Sequence, residues 1–541
     1  LGFNTHEKDE LPMSASSDRK KRMEAISSGT DRKTLAQLEE EKKQRKSRRQ
    51  WTFGTIVIVL LIAAILVLNS NLFFTGVTAV QVGDVSYNTA QYDYYFKVQY
   101  MQFYQNYGSY ASLFGLDTSK PLKDQTCSML EDGGTWYDYF QQQTLQYMTQ
   151  ITALSEYAKK NNITLDDTEK ANIDTQMQTY ASQATQAGYS STKNYLISAF
   201  GRGSSEELVR GELERYALAY KAYNTVSDSY KFTDAELETY YQQNKDSLDL
   251  FDYDYYLVQA DKVTTASGTD VSATDASATN TSATDTAASS AVTKETMAAA
   301  KTKADAIAAS IKSGKDFDTA AAAVVDGAAA TVQSGTAGSG VTDVYADWLK
   351  DSSRKAGDVT VVESSDTGYF VVEFLGRSDN HYNMQQARHI LIKAVASDDG
   401  TYTDDAKATA KASAQKIYDE WKSGVATEDS FASLATEYSE DTGSKSNGGL
   451  YDSIYKNEMV TAFNDFVFAP ERKAGDTTLI YGESSEYAGY HIVYYVGQGD
   501  LYSNYLAKTA MVNAKMQTWQ TDLTKNYTAV TKFAIRFESV G

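Results

Sequence analysis

A chain of 541 residues with 42% hydrophobic content is too long for one core and has enough apolar side chains to fill three or four. Its single cysteine, Cys127, excludes an internal disulfide framework and any cysteine-based metal site. The formal charge of −20 is unevenly spread: residues 1–50 carry 13 Lys+Arg against 9 Asp+Glu, so the remainder is strongly acidic, which argues against nucleic-acid binding.

In chain order, residues 1–50 read as a basic cytoplasmic tail. Residues 50–83 carry no charge, and Ile56–Leu68 is unbroken apolar sequence flanked by Trp51 and by Leu72, Phe73 and Phe74. The stretch 51–74 is predicted to be a single transmembrane helix, with a cleaved signal peptide as the alternative. Basic residues beside it place the amino terminus in the cytoplasm and the bulk of the protein outside, in a single-pass cell-membrane arrangement.

Residues 77–250 are predicted to form amphipathic helices, with an apolar stripe at Leu145, Met148, Ile151, Leu154 and Ala158. Thr233 followed by Glu236 marks a helix start. The many tyrosines fit either core packing or a surface for extended polypeptide. Residues 262–294, nearly all Ala, Ser, Thr, Asp and Val, cannot bury enough surface to fold and read as a flexible insertion.

An internal repeat follows. "RKAGDVTVVESSDTGYFVVEFLGR" matches "RKAGDTTLIYGESSEYAGYHIVYYVGQ", "YADWLKDSSRKAGD" matches "FNDFVFAPERKAGD", and "DYYLVQA" matches "RHILIKA". Two copies of one α/β domain, 251–378 and 383–499, are implied. A terminal helix over 503–527 carries the stripe Val512, Met516, Trp519 and Leu523, for which the helical region is the natural host. The fold class is multidomain α+β.

The copies differ where polar side chains enter apolar strands. His389 aligns with Tyr255, His491 with Phe370 and Asp441 with Gly327. A need of the fold itself would show in both copies, so the contrast points to a site in the second. A metal site finds little support, because the histidines lie about a hundred residues apart without local ligand spacing. A serine or cysteine hydrolase lacks its nucleophile motif.

Through "ARHILIK", "FASLATEYSEDTGSKSNGGL", "NEMVTAFNDFVF" and "GYHIVYY", the second copy resembles a parvulin-type peptidyl-prolyl isomerase domain. The larger arrangement resembles membrane-attached foldases of the PrsA and SurA type, with a helical chaperone domain over 77–250 completed by the terminal helix, and a degenerate first parvulin-like domain. The resemblance implies a catalytic group of His389, Asp441 and His491, a proline pocket of Leu450, Met459 and Phe463, and no cofactor or metal. It implies exported, unfolded polypeptides with X–Pro bonds as partners and leaves a homodimer open. Two departures stand out: Glu486 and Ala488 replace hydroxyl residues often found before the second histidine, and "NGGLY" lacks the acid of Gly-Gly-Asp-Leu. The alternative function is a non-catalytic, membrane-anchored chaperone or assembly factor.

Overall fold

The computed structural model describes residues 15–28, 32–68, 70–131, 133–264, 290–397 and 400–539. They fall into two compact units, one running to Ser229 and resuming at Met516, the other Tyr230–Lys515.

At the amino terminus, α1 (Ala15–Ser27) and α2 (Arg32–Leu68) precede the short α3 (Asn71–Gly76). Among the described residues no helix is long and apolar enough to cross a membrane. The transmembrane helix expected over 51–74 is therefore not found among the described residues, and the single-pass membrane anchor and localisation expected from it are not supported. The reason lies in where the chain breaks. Because α2 stops at Leu68, its unbroken apolar stretch rises only about 20 Å, against a hydrocarbon core of about 30 Å. Phe73 and Phe74, counted in the sequence as the far end of the span, belong to α3 and are buried in protein core.

In the first unit, β1 (Thr78–Val82) pairs antiparallel with β2 (Val85–Asn88) and with the strand Ala529–Thr531. The α-helices α4 (Thr89–Tyr107), α5 (Trp136–Lys160), α6 (Asp167–Gln186), α7 (Thr192–Phe200) and α8 (Glu206–Ser229) follow. Reciprocal capping pairs Asn88–Gln91, Thr135–Asp138 and Asp166–Glu169 satisfy the free N–H groups that open α4, α5 and α6. Tyr87, Tyr92, Phe96, Trp136 and Phe140 are fully buried, so many of the tyrosine-rich positions here are core. Trp519 and Leu523 pack on Ile151, Leu154 and Ala219.

The second unit opens on α9 (Asp234–Leu248), capped by Thr233 and Glu236. Next come β3 (Leu250–Gln259), a ribbon of β4 (Lys262–Thr264) and β5 (Ser290–Val292), α10 (Lys294–Lys312), α11 (Phe317–Ala322), β6 (Thr331–Ala337), α12 (Asp343–Lys350), β7 (Asp358–Ser364) and β8 (Gly368–Ser378). Most of the insertion expected over 262–294 lies outside the described residues. A second set follows: β9 (Asn383–Lys393), α13 (Asp404–Ser423), α14 (Glu428–Tyr438), β10 (Leu450–Ile454), α15 (Thr461–Phe468), β11 (Thr477–Glu483) and β12 (Ala488–Leu501), then α16 (Tyr502–Thr524).

The two four-stranded sheets share one topology. The first runs β6-β3-β8-β7 and the second β10-β9-β12-β11, antiparallel throughout. Alternate side chains feed two small cores in each. In the second sheet, Ile390 and Ile492 face Ile417, Trp421 and Phe431 of α13 and α14, while Ala387 and Val493 face Phe463 and Val467 of α15.

Where the two sets join, Arg377 at the end of β8 donates from Nε to Asp249 Oδ2 at 2.5 Å, from Nη2 to Asp246 at 2.7 Å and from Nη1 to the Lys350 carbonyl. Asp249 is 3% exposed and also accepts from the Tyr241 hydroxyl. Removing the guanidinium strands a buried carboxylate, so Arg377→Met is expected to lower local stability across β3 and β8 by about 3 kcal/mol. Lys301→Met, which breaks an exposed pair with Asp305, is expected to cost less than about 1 kcal/mol. Hydrogen exchange of the strand amides checks both.

Candidate active site

In β9 the side chains of Ala387, His389 and Leu391 share one face, and His491 on β12 lies opposite Leu391, which makes the two histidines diagonal neighbours. Both are 4% exposed. Their rings stack with centroids 5.3 Å apart and an interplanar angle of 14°, and Nδ1 faces Nδ1 at 3.1 Å. Phe463 of α15 closes edge-on against both, at 5.6 and 5.8 Å.

Asp441 reaches the pair from the loop after α14. Its Oδ2 lies 2.8 Å from His389 Nε2, and the same oxygen accepts from the Tyr451 hydroxyl at 3.1 Å and from the Ser444 hydroxyl. The bond from His389, helped by Ser444 and opposed by partial burial, holds this carboxyl well below the usual carboxylate range. Burial, and next the Asp441 charge, push the Tyr451 hydroxyl up to about 12, so it remains a donor. At the other end the Tyr487 hydroxyl lies 3.0 Å from His491 Nε2. Burial, and then His389 beside it, depress His491 to about 3, so its imidazole is neutral.

These constraints leave one arrangement of protons when both rings are neutral. Ionised Asp441 can only accept, so His389 carries its proton on Nε2 and offers a lone pair at Nδ1. His491 then donates from Nδ1 and accepts at Nε2 from Tyr487. Tyr487, His491, His389 and Asp441 thus form a one-directional chain of donors ending on the carboxylate.

Backbone geometry fixes the chain at two glycines. Gly449 has φ of +72°, its carbonyl accepts from His389 N at 2.8 Å, and a Cβ there would lie 2.3 Å from the His389 oxygen. A Cβ on Gly482 would lie 2.8 Å from His491 Nε2, in the space the ring and the Tyr487 hydroxyl need.

Four of the six residues named from the sequence gather in this chain and its aromatic wall: His389, His491, Asp441 and Phe463. Met459 packs in the same α15-side core. Leu450 does not join them. It pairs with Arg388, on the opposite face of β9 from His389, and the neighbouring Tyr451, paired with Ala387, occupies the site face instead. Glu486 is exposed and Ala488 buried, and neither offers a hydroxyl. Tyr487 between them does. It stands one residue before β12, and in extended chain a spacing of four from His491 puts both on one face, a signal that alternation could have revealed.

In the first sheet the same register holds Tyr255 and Phe370 where His389 and His491 stand, since Tyr255 pairs with Val372 and Phe370 with Leu257. Tyr345 of α12 takes the place of Phe463. The three rings pack at 5.3 to 6.0 Å, a closed aromatic cluster without an imidazole.

Residues 374–497 match the family described as PPIC-type PPIASE domain, and the chain therefore carries a parvulin-type peptidyl-prolyl isomerase domain. Among curated proteins it is similar to the chaperone SurA of Pseudomonas syringae pv. tomato, 33% identical over 121 residues, which is 21% of this chain and 25% of that protein. The chaperone SurA of Pseudomonas fluorescens is 33% identical over 115 residues, 21% of this chain and 24% of the relative. The chain thus spans about a quarter of the length of these curated relatives. Among solved structures, PrsA from Bacillus cereus is 25% identical over 27% of this chain and 49% of that one, with a TM-score of 0.17. PrsA from Bacillus subtilis is 14% identical over 75% and 93%, with a TM-score of 0.28.

The buried pair has a consequence for acid stability. An unfolded histidine takes up its proton near pH 6.5, whereas folded His491 does so only near 3. Between those values the unfolded chain binds more protons, so stability rises with pH, and is lost as pH falls, by up to about 1.4 kcal/mol per pH unit. Depressed Asp441 acts in the same direction lower down: its contribution is full above about pH 4 and is lost as pH falls further. Protection of the β9 and β12 amides is expected to drop between pH 7.5 and 5, and His491→Phe is expected to flatten that dependence.

Proposed function

We propose that the chain is a peptidyl-prolyl cis-trans isomerase and foldase for unfolded polypeptides. In this reading 383–499 is the catalytic domain and 251–378 is a related domain without the histidine pair. The helical region 77–250, with the carboxy-terminal helix, holds the client. The observation that carries the reading is the buried chain Tyr487–His491–His389–Asp441 set against Phe463, Met459 and Tyr451, within a PPIC-type domain.

The chemistry follows from the amide. Rotation about an X–Pro bond must cross a barrier of about 20 kcal/mol, because the twisted state loses resonance. Hydrogen bonds to the carbonyl oxygen favour the planar, more dipolar forms, so a site speeds rotation by gripping the ring while withholding such donors. Here Phe463, Met459 and Tyr451 supply apolar surface for the proline ring. With both rings neutral, the protons of Tyr487, His491 and His389 are directed inward along the chain to Asp441, so none is left to stabilise the planar carbonyl. His389 and His491 form a rigid floor whose polarity is satisfied internally. Asp441 positions that floor, and Tyr487 supplies the hydroxyl that Glu486 and Ala488 do not.

The test is isomerisation of a short X–Pro peptide by the full chain, followed by a protease-coupled assay. Wild type is expected to accelerate the reaction, and Asp441→Ala and His389→Ala to lower kcat/KM by at least about tenfold. Tyr487→Phe, which removes one hydrogen bond worth about 1 kcal/mol, is expected to lower it about fivefold. Met459→Ala is expected to act mainly through KM. A wild-type rate equal to the uncatalysed one would overturn the enzyme reading and leave a polypeptide-binding protein without catalysis.

A further inference from the structure

In the helical unit, two cavities of about 510 and 410 Å³ adjoin α8. Ile163, Leu165 and Leu218 help wall the first, and Asn88, Gln91 and Leu208 the second. Gly211 and Arg215, one helical turn apart, line both.

Gly211 lies well inside α8, where glycine is the least favoured residue after proline. Packing does not demand it, since a Cβ built there would meet nothing within 4 Å. What its missing side chain does is leave open the place the two cavities have in common. A helix glycine facing empty space is understandable where another chain has to approach the helix backbone closely.

Arg215 gives that approach a chemistry. Its Nε donates to Glu212 at 3.0 Å, and its guanidinium lies 5.1 Å from the centre of the Tyr87 ring. Glu212, 3% exposed, is also held by the Tyr95 hydroxyl and by Gln91 Nε2 at 2.6 Å. The guanidinium is thus fixed along one edge. Neither of its Nη groups donates a hydrogen bond among the described residues. Since Glu212 already balances the charge, the free edge suits neutral carbonyl oxygens better than a free anion. Extended polypeptide supplies such oxygens at regular intervals, along with apolar side chains for Ile163, Leu165 and Leu218.

We propose that the groove over Gly211 and Arg215 binds an extended segment of client polypeptide, with backbone carbonyls on the free edge of Arg215 and an apolar side chain against Leu218. This rests on the foldase reading and adds to it a client site remote in sequence from the histidine pair.

The experiment measures binding of a fluorescein-labelled, reduced and carboxymethylated polypeptide to the full chain by anisotropy, for wild type and Gly211→Leu. The substitution favours the helix and fills the groove, so a folding defect is not expected, and thermal denaturation checks this. Gly211→Leu is expected to weaken binding at least fivefold, with unchanged isomerisation of a short X–Pro peptide. Equal binding by wild type and a folded Gly211→Leu protein would overturn the groove alone. Absence of binding by wild type would overturn the client-holding reading beneath it. Should Gly211→Leu unfold, Leu218→Asp is measured instead and is expected to give the same loss, with unchanged binding again overturning the proposal.

Discussion

Two imidazoles facing each other through Nδ1 inside a protein are compatible with few proton arrangements, and the carboxylate of Asp441 reduces those for the neutral pair to one. That constraint ties together parts of the second sheet that sequence keeps far apart: β9, the loop after α14, the hairpin before β12 and helix α15. Each supplies one member or one wall. The glycine at 449 exists because the His389 backbone comes too close for a Cβ, and the glycine at 482 because the His491 ring does. Arg388 adds a brace, donating to Glu428 and to the carbonyls of Asn447 and Gly448, so the loop that carries Asp441 is held against the strand that carries His389.

The first sheet shows what the fold requires without that constraint. Strand order and register are the same, yet Tyr255, Phe370 and Tyr345 fill the equivalent space with aromatic contacts. The histidines are therefore not needed to close the sheet. They replace a stable hydrophobic cluster with buried polar groups that must satisfy one another, a substitution that costs stability unless every donor and acceptor is paired. Tyr487 and Asp441 provide the pairing at the two ends.

Much of this was legible in the sequence for a physical reason: the repeat supplied an internal comparison, and period-two alternation on strands reports which positions are buried. The contrast of His389 with Tyr255 and His491 with Phe370 survives as the same register in two sheets. Leu450 was misread because a shift of one residue on a strand reverses the face, and nothing local in "NGGLYDS" fixes which of Leu450 or Tyr451 turns toward the site. Tyr487 was not legible because the family pattern places its hydroxyl residues at 486 and 488, where this chain has Glu and Ala. The apolar stretch near residue 60 misled for a different reason: composition counts residues across a break in the helix, and only the structure shows the chain ending α2 at Leu68 and burying Phe73 and Phe74 elsewhere. The groove at Gly211 had no sequence signature, since a single glycine in a helical pattern does not announce which cavities it joins.

The directional hydrogen-bond chain is tested most directly by imidazole nitrogen-15 NMR on the full chain labelled at its four histidines. The account predicts that, with both rings neutral, His389 carries its proton on Nε2 and His491 carries its proton on Nδ1. It also predicts that the His491 signals stay those of a neutral ring down to pH 5. A His491 that titrates near the unperturbed value of about 6.5, or that carries its proton on Nε2 beside a neutral His389, would contradict it.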